Sequence, residues 1–422
     1  MLDKIFKTEL IKNVLILLKG TFLAQLFSFI LMPIISRFYT EEDFADLGVY
    51  TRIITFVSAI ATARFELSLP LPKSEYHSFL LYRLSLKISK YILIICLIVF
   101  VFFLLYLPFS FNFLFFSFIC LASLYFLVFI NLGTNWSIRK KDFKAISNQR
   151  IINSVSTNIF KILLGFKNLG GLGLVLATFL GYFISSFNFL KNYNYQNKKH
   201  NHSSIKTNLL VKEYKNFPLI SLPHVLLDLG RDLFIGFVIV YNFDKSIFGS
   251  FAYAIMILTI PLSFIGNSVG QVFFNKCSEM VNSNKSISEL MRKTYLTLFL
   301  ISILPFVTLF FVGEEIFVFV FGQNWRVAGQ YSEIMSIWFM INFIVSPMTN
   351  LPLILNRQKE NLVFGIANTL IQIFVFGLLP FFVDSYKNDF ESTLKIASFI
   401  LTFYYLIIGY YLYKLSYKGR LV

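Results

Sequence analysis

The chain has 422 residues, of which 56% are hydrophobic and only 14% charged, and 53 are Phe. Soluble domains carry about a quarter of their residues as charges, and one of this size could not cover so much apolar surface, so the composition excludes a soluble globular protein. The net charge of +16 would point to nucleic acid in a soluble chain. In a membrane chain it is read by position, because basic residues collect in cytoplasmic loops, and no nucleic-acid partner is expected.

The N-terminus MLDKIFKTELIKN carries charges throughout and has no small-residue cleavage site, so no cleavable signal peptide is expected. Runs of roughly 20 apolar residues follow, each long enough to cross a ~30 Å hydrocarbon core as a helix. They fall at about 13–36, 46–68, 88–108, 112–135, 147–166 and 170–190. A second series falls at about 217–241, 247–274, 294–313, 328–354, 362–383 and 393–413. The pattern predicts an all-α integral membrane protein with about 12 transmembrane helices. Between the two series lies the longest polar connector, KNYNYQNKKHNHSSIKTNLLVKEYKN (191–216). It divides the chain into an N-terminal six-helix bundle, 1–205, and a C-terminal six-helix bundle, 206–422. Six spans in each half give the halves the same orientation, related by a pseudo-two-fold axis along the membrane normal.

With the N-terminus cytoplasmic, the inner loops hold 27 Lys and Arg and the outer loops only Arg37, Lys167, Lys245, Arg326 and Lys387. The opposite orientation would invert that split, so both termini are expected in the cytoplasm. Cys96, Cys120 and Cys277 have no pairing or metal-ligand spacing and read as buried, inert thiols.

Six basic residues remain within spans or at their margins: Lys19, Arg52, Arg64, Lys161, Arg231 and Lys395. Their acidic counterparts are Asp46, Glu66, Asp228, Asp232 and Glu333. A charge at the bilayer centre costs at least ~2.5 kcal/mol and normally faces protein or a water-filled cavity. His224, Asp228, Arg231 and Asp232 fall on one helical face, and Arg150, Ser154, Asn158 and Lys161 form a second stripe. Arg52, Thr55, Thr62 and Glu66 add a third, and Asn361, Asn368 and Gln372 a fourth. Stripes on several helices predict a shared polar lumen, lined by the cations Arg52, Lys161, Arg231, Arg64 and Lys19. Such a lumen suits an anionic cargo such as phosphate, since Arg can hold two oxygens at once. Arg83, Lys87 and Lys90, at helical spacing where span three enters the membrane, read as the basic mouth of a cytoplasmic vestibule or as a lipid-phosphate anchor. Asp228, Asp232, His224 and Glu66 are the candidates to carry a coupling ion. Bland roles stand beside these: Lys19 and Lys395 can snorkel, Arg64 and Glu66 can form an interfacial pair, and Asp228 and Arg231 can lock two helices together. No catalytic group, metal site or cofactor is expected, and the absence of a GxxxxGK[ST] run agrees with transport driven by an ion gradient.

The stretches ISRFYTEEDFADLGVYTRI and ARFELSLPLPKSE resemble spans one and two of the bacterial polysaccharide flippases that move O-antigen and capsule repeat units. NFPLISLPHVLLDLG and PLSFIGNSVGQVFFNK resemble spans seven and eight of that family, and FGQNWRVAGQYSEIMSIWF the beginning of span ten. The likeness runs from about Val14 to beyond Arg357, with Ala45 where the family usually has glycine. It implies the multidrug/oligosaccharidyl-lipid/polysaccharide exporter fold, with two six-helix bundles meeting in a V around a central cavity. It also implies an undecaprenyl-pyrophosphate-linked oligosaccharide as cargo. That cargo would pass from the cytoplasmic to the periplasmic leaflet of the inner membrane by alternating access, driven by H⁺ or Na⁺. Membrane lipids, a polysaccharide polymerase and assembly proteins are the other partners it implies. The family's cationic lumen maps onto Arg52, Lys161 and Arg231 by helical placement.

Two rivals remain. A drug/cation antiporter of the same superfamily would want a less basic lumen. A multi-span glycosyltransferase or polymerase could hold a metal on the TEED run (40–43), although an acidic run there is usually a solvated, capped turn and no sizeable outer loop exists to build an active site.

Overall fold

The structure, a computed structural model, describes residues 2–106, 111–199, 207–283, 285–355, 357–383 and 389–417. Among the described residues there is no strand. Helices α1 (Leu2–Ile35), α2 (Glu41–Ala61), α3 (Glu75–Tyr106), α4 (Phe111–Lys140), α5 (Phe143–Gly165) and α6 (Gly170–Lys199) form on the first six apolar runs. A short α7 (Thr207–Glu213) and a π-helical turn (Phe217–Ser221) lead into α8 (Leu222–Asn242). Then come α9 (Lys245–Pro261) and α10 (Asn267–Asn282), separated by a π-helical turn that directly follows Pro261. The last apolar runs form α11 (Ser288–Phe321), α12 (Arg326–Val345), α13 (Leu351–Ile354), α14 (Gln358–Gln372), α15 (Leu379–Phe382) and α16 (Phe390–Tyr417).

Nine stretches among the described residues are long and apolar enough to cross a membrane. The three expected spans outside that set are α1, α5 and α8, all of which nevertheless form helices, of 34, 23 and 21 residues. Even the shortest is about 30 Å long at 1.5 Å per residue. Two of them carry charged stripes, with Asp228, Arg231 and Asp232 on α8 and Arg150 and Lys161 on α5.

The chain divides into two compact units, Met1–Tyr39 with Asp46–Leu233, and Thr40–Ala45 with Phe234–Val422. The boundary at 205/206 suggested by polarity lies in residues 200–206, outside the described residues. In the first unit α5 packs on α1 and α6, α6 on α4, and α4 on α3. Small residues permit these approaches: a Cβ on Gly20 of α1 would lie 1.8 Å from Ser147 Oγ on α5. The described part of the polar connector packs on the first unit. Leu210 of α7 is buried with Phe79, Tyr82 and Trp136, and His77 Nε2 lies 3.3 Å from Glu213 Oε2.

In the second unit α12 packs against α9, α11 and α16. Tyr253 and Trp325 stack with centroids 3.7 Å apart, and Phe44 meets both rings edge-on at 5.0 Å. The TEED run is a helix start: the Thr40 N–H donates to Asp43 Oδ2 at 2.8 Å, and the Asp43 N–H donates to Thr40 Oγ1 at 3.3 Å. This reciprocal cap occupies one of the acidic groups on which a metal-holding enzyme would depend.

The in-span acid Glu333 also has a structural duty. Helix α11 breaks at Val312, where φ is −138°, so a backbone donor near the break loses its place in the helical ladder. Glu333 Oε1 on α12 accepts the Glu314 N–H at 2.8 Å. Glu333→Leu is therefore expected to destabilise the protein by about 1–3 kcal/mol, the cost of a buried donor left unsatisfied. A lowered thermal midpoint of the purified variant would register it, and an unchanged midpoint would remove Glu333 from that role.

Candidate functional site

Charged side chains converge where α8 lies beside α2, within the first unit. Helix α8 carries His224, Asp228, Arg231 and Asp232 on one face and, further along the helix, buries Ile235, Gly236 and Ile239. Arg231 is nearly enclosed, its side chain 12% exposed, between Asp228 and Asp232 at 48% and 50%. Its Nε and Nη2 donate to Asp232 Oδ1 at 3.0 and 2.9 Å, and Nη1 donates to Asp228 Oδ1 at 3.4 Å. From α2, Arg52 Nε donates to the backbone carbonyl of Asp232 at 3.1 Å, while Nη1 donates to its own helix at Gly48 O, 3.2 Å away.

The cluster has two guanidiniums and two carboxylates, so it is close to electroneutral. Charge-assisted bonds of this kind are roughly twice as strong as neutral ones. Here they hold Arg231 in one orientation and leave the aspartates as its more accessible edge. A ligand anion that takes the bonded edge of the Arg231 fork must displace a carboxylate there, whereas a ligand cation can meet the half-exposed carboxylates directly.

The other predicted residues are distributed differently. On α5, Arg150 Nη1 donates to Thr21 Oγ1 of α1. Ser154 and Ser28 hydroxyls lie 2.8 Å apart, and Asn158 Nδ2 donates to Ser28 Oγ at 2.8 Å. Much of the α5 stripe is thus spent on a polar ladder with α1. Sequence reading passed over the matching stripe of Thr21, Gln25 and Ser28, although its spacing is helical. Lys161 ends the ladder half-buried; its backbone carbonyl accepts from Tyr39 Oη at 2.7 Å, and its ammonium has no ion-pair partner among the described residues. No contact joins Lys161 to the Arg52–Arg231 cluster among the described bonds.

Arg64 pairs with the almost fully buried Glu66 at 3.4 Å, on a turn where Ala63 and Arg64 both take positive φ, 48° and 61°. Arg83 is half-buried, and Lys87, Lys90, Lys19 and His224 are exposed. On α14, Gln372 Nε2 donates to Asn368 Oδ1 at 3.0 Å, in the second unit. Cys120 and Cys277 are buried and Cys96 is partly so, all three as free thiols. No group of three or more metal-ligating side chains occurs among the described residues.

Helices of this order, with charge held inside them, define a multi-pass membrane protein. Solved structures similar to the chain share its fold. An inward-facing multidrug resistance MATE family transporter of the MOP superfamily superposes with a TM-score of 0.66 at 12% identity, covering 94% of this chain and 96% of that one. The lipid II flippase MurJ, in an inward closed conformation, gives 0.68 at 16% identity over 94% and 87%. A MOP superfamily transporter from Pyrococcus furiosus, described as having a binding pocket of reverse polarity, gives 0.57 at 13% over 97% and 96%. At such identities the likeness establishes the fold and leaves function to the site. No curated protein matches the sequence. The chain belongs to the Polysaccharide biosynthesis protein family, which it matches over residues 34–330.

Proposed function

We propose that the chain is a flippase for lipid-linked oligosaccharides, carrying undecaprenyl-pyrophosphate-linked repeat units of an O-antigen or capsule across the bacterial inner membrane. Both termini lie in the cytoplasm on this reading, and cargo moves toward the periplasm by alternating access coupled to H⁺ or Na⁺. Polymerase and assembly proteins would take up the product. The observation that carries the reading is the Arg231 fork held between Asp228 and Asp232 with Arg52 alongside. A guanidinium already organised by two carboxylates can exchange them for two oxygens of a pyrophosphate. The released carboxylates then need a cation or a proton, which gives Asp228 and Asp232 their coupling role, with His224 on the same face. Lys161 offers a further cation, with no ion-pair partner among the described residues. Glu66, Arg64 and Lys19 lie outside this cluster as further candidates, and Arg83, Lys87 and Lys90 would gather the headgroup at the cytoplasmic surface.

One observation favours a second reading. The aspartates, not Arg231, are the more exposed edge of the cluster, which would suit a cationic cargo such as a drug in an antiporter. The two readings separate in a binding test on the purified protein. Undecaprenyl pyrophosphate is expected to raise the thermal midpoint, and undecaprenol, which lacks the anion, to raise it much less. Stabilisation by a quaternary ammonium compound and none by the pyrophosphate would select the antiporter.

A further inference from the structure

A second polar feature lies away from the charged cluster, where α3, α4 and α6 meet in the first unit. A cavity there is lined by Phe79 and Tyr82 of α3, Gly133 and Trp136 of α4, and Phe189, Asn192, Tyr193 and Gln196 of α6. Its walls are mainly aromatic. Tyr82 and Tyr193 stack at 5.2 Å, and Trp136 stands edge-on to Tyr82 at 6.1 Å. Two of the lining side chains bring polar atoms that no described residue satisfies: Tyr82 Oη and Gln196 Oε1 are both buried without a hydrogen-bond partner among the described residues. Tyr82 is 2% exposed and Gln196 8%.

Buried polar groups in native proteins are paired, and an isolated one carries its full desolvation penalty. Two such atoms lining one small cavity call for a shared partner. The free space is about that of a single water molecule, too small for a sugar or a lipid headgroup. The chemistry fits as well. A tyrosine hydroxyl can donate, an amide oxygen can only accept, and a water joins them by accepting from one and donating to the other. Asn192 at the exposed rim offers a third polar neighbour.

We propose that this cavity binds one structural water that bridges Tyr82 Oη and Gln196 Oε1 and completes the joint between α3, α4 and α6. The water stands in for a direct side-chain bond in a contact otherwise made by rings. Its removal from one side leaves the opposite atom orphaned, whereas its removal from both sides leaves an apolar cavity with no unmet group.

The test is a double-mutant cycle in thermal unfolding with Tyr82→Phe and Gln196→Met, on the full chain in detergent. Each single change is expected to lower the midpoint by a few degrees. The double variant is expected to fall no further than the worse single one, because the orphan and the water disappear together. Losses that simply add, or single variants without effect, would overturn the proposal. A water-resolving map of the unsubstituted protein gives an independent reading should either variant fail to fold. Density within hydrogen-bonding reach of both atoms supports the bridge, and its absence there rules it out.

Discussion

Arg231→Ala is expected to reduce translocation of a pyrophosphate-linked oligosaccharide on the order of a hundredfold, while the protein still inserts and folds. The fork makes bonds to both neighbouring carboxylates, and a ligand that replaces them would gain about 3 kcal/mol from two charge-assisted bonds, which corresponds to that factor. Folding is spared because Asp228 and Asp232 are about half exposed and can be hydrated when their cation is gone. Arg231→Lys keeps the charge and loses the planar fork, so its loss should be smaller, about tenfold. Transport by a well-expressed Arg231→Ala protein at the unsubstituted rate would remove Arg231 from the mechanism.

The second large effect concerns folding rather than transport. A Cβ on Gly249 would lie 1.8 Å from the backbone carbonyl oxygen of Glu41, and a backbone atom cannot swing aside as the end of a side chain can. Gly249→Val is expected to cost at least about 3 kcal/mol and to abolish recovery of monodisperse protein, as read by size-exclusion chromatography after extraction. Normal recovery and an unchanged thermal midpoint would mean that the start of α2 does not pack on α9 as described.

Much of this fold is legible in the apolar runs, because a helix that must cross ~30 Å of hydrocarbon announces itself by length and composition. The helices hardest to recognise on apolarity alone include the two with the most chemistry, α5 and α8, since the charges that give them a role also dilute their apolar character. The face shared by Asp228, Arg231 and Asp232 follows from helical spacing. The acceptors of Arg52 do not, because the backbone carbonyls of Gly48 and Asp232 carry no sequence signal. The α5 stripe looked like lumen lining when α5 was considered alone. Its Arg150, Ser154 and Asn158 are paired with Thr21 and Ser28, a partnership visible only once α1 and α5 are side by side. Glu333 is the clearest case of a remote cause: the break at Val312 that it caps is in another helix, 21 positions earlier in the chain. The assignment of Thr40–Ala45 to the second unit likewise rests on distant partners, Gly249, Tyr253 and Trp325.

The most direct measurement is translocation of a fluorescent undecaprenyl-pyrophosphate oligosaccharide in proteoliposomes, with imposed pH or Na⁺ gradients and with Asp228→Asn/Asp232→Asn protein alongside. The account predicts protein-dependent movement that accelerates under one of the gradients, and loss of that acceleration in the double variant. No movement of a cognate glycan by correctly folded protein, or gradient-driven movement unchanged in the double variant, would contradict it.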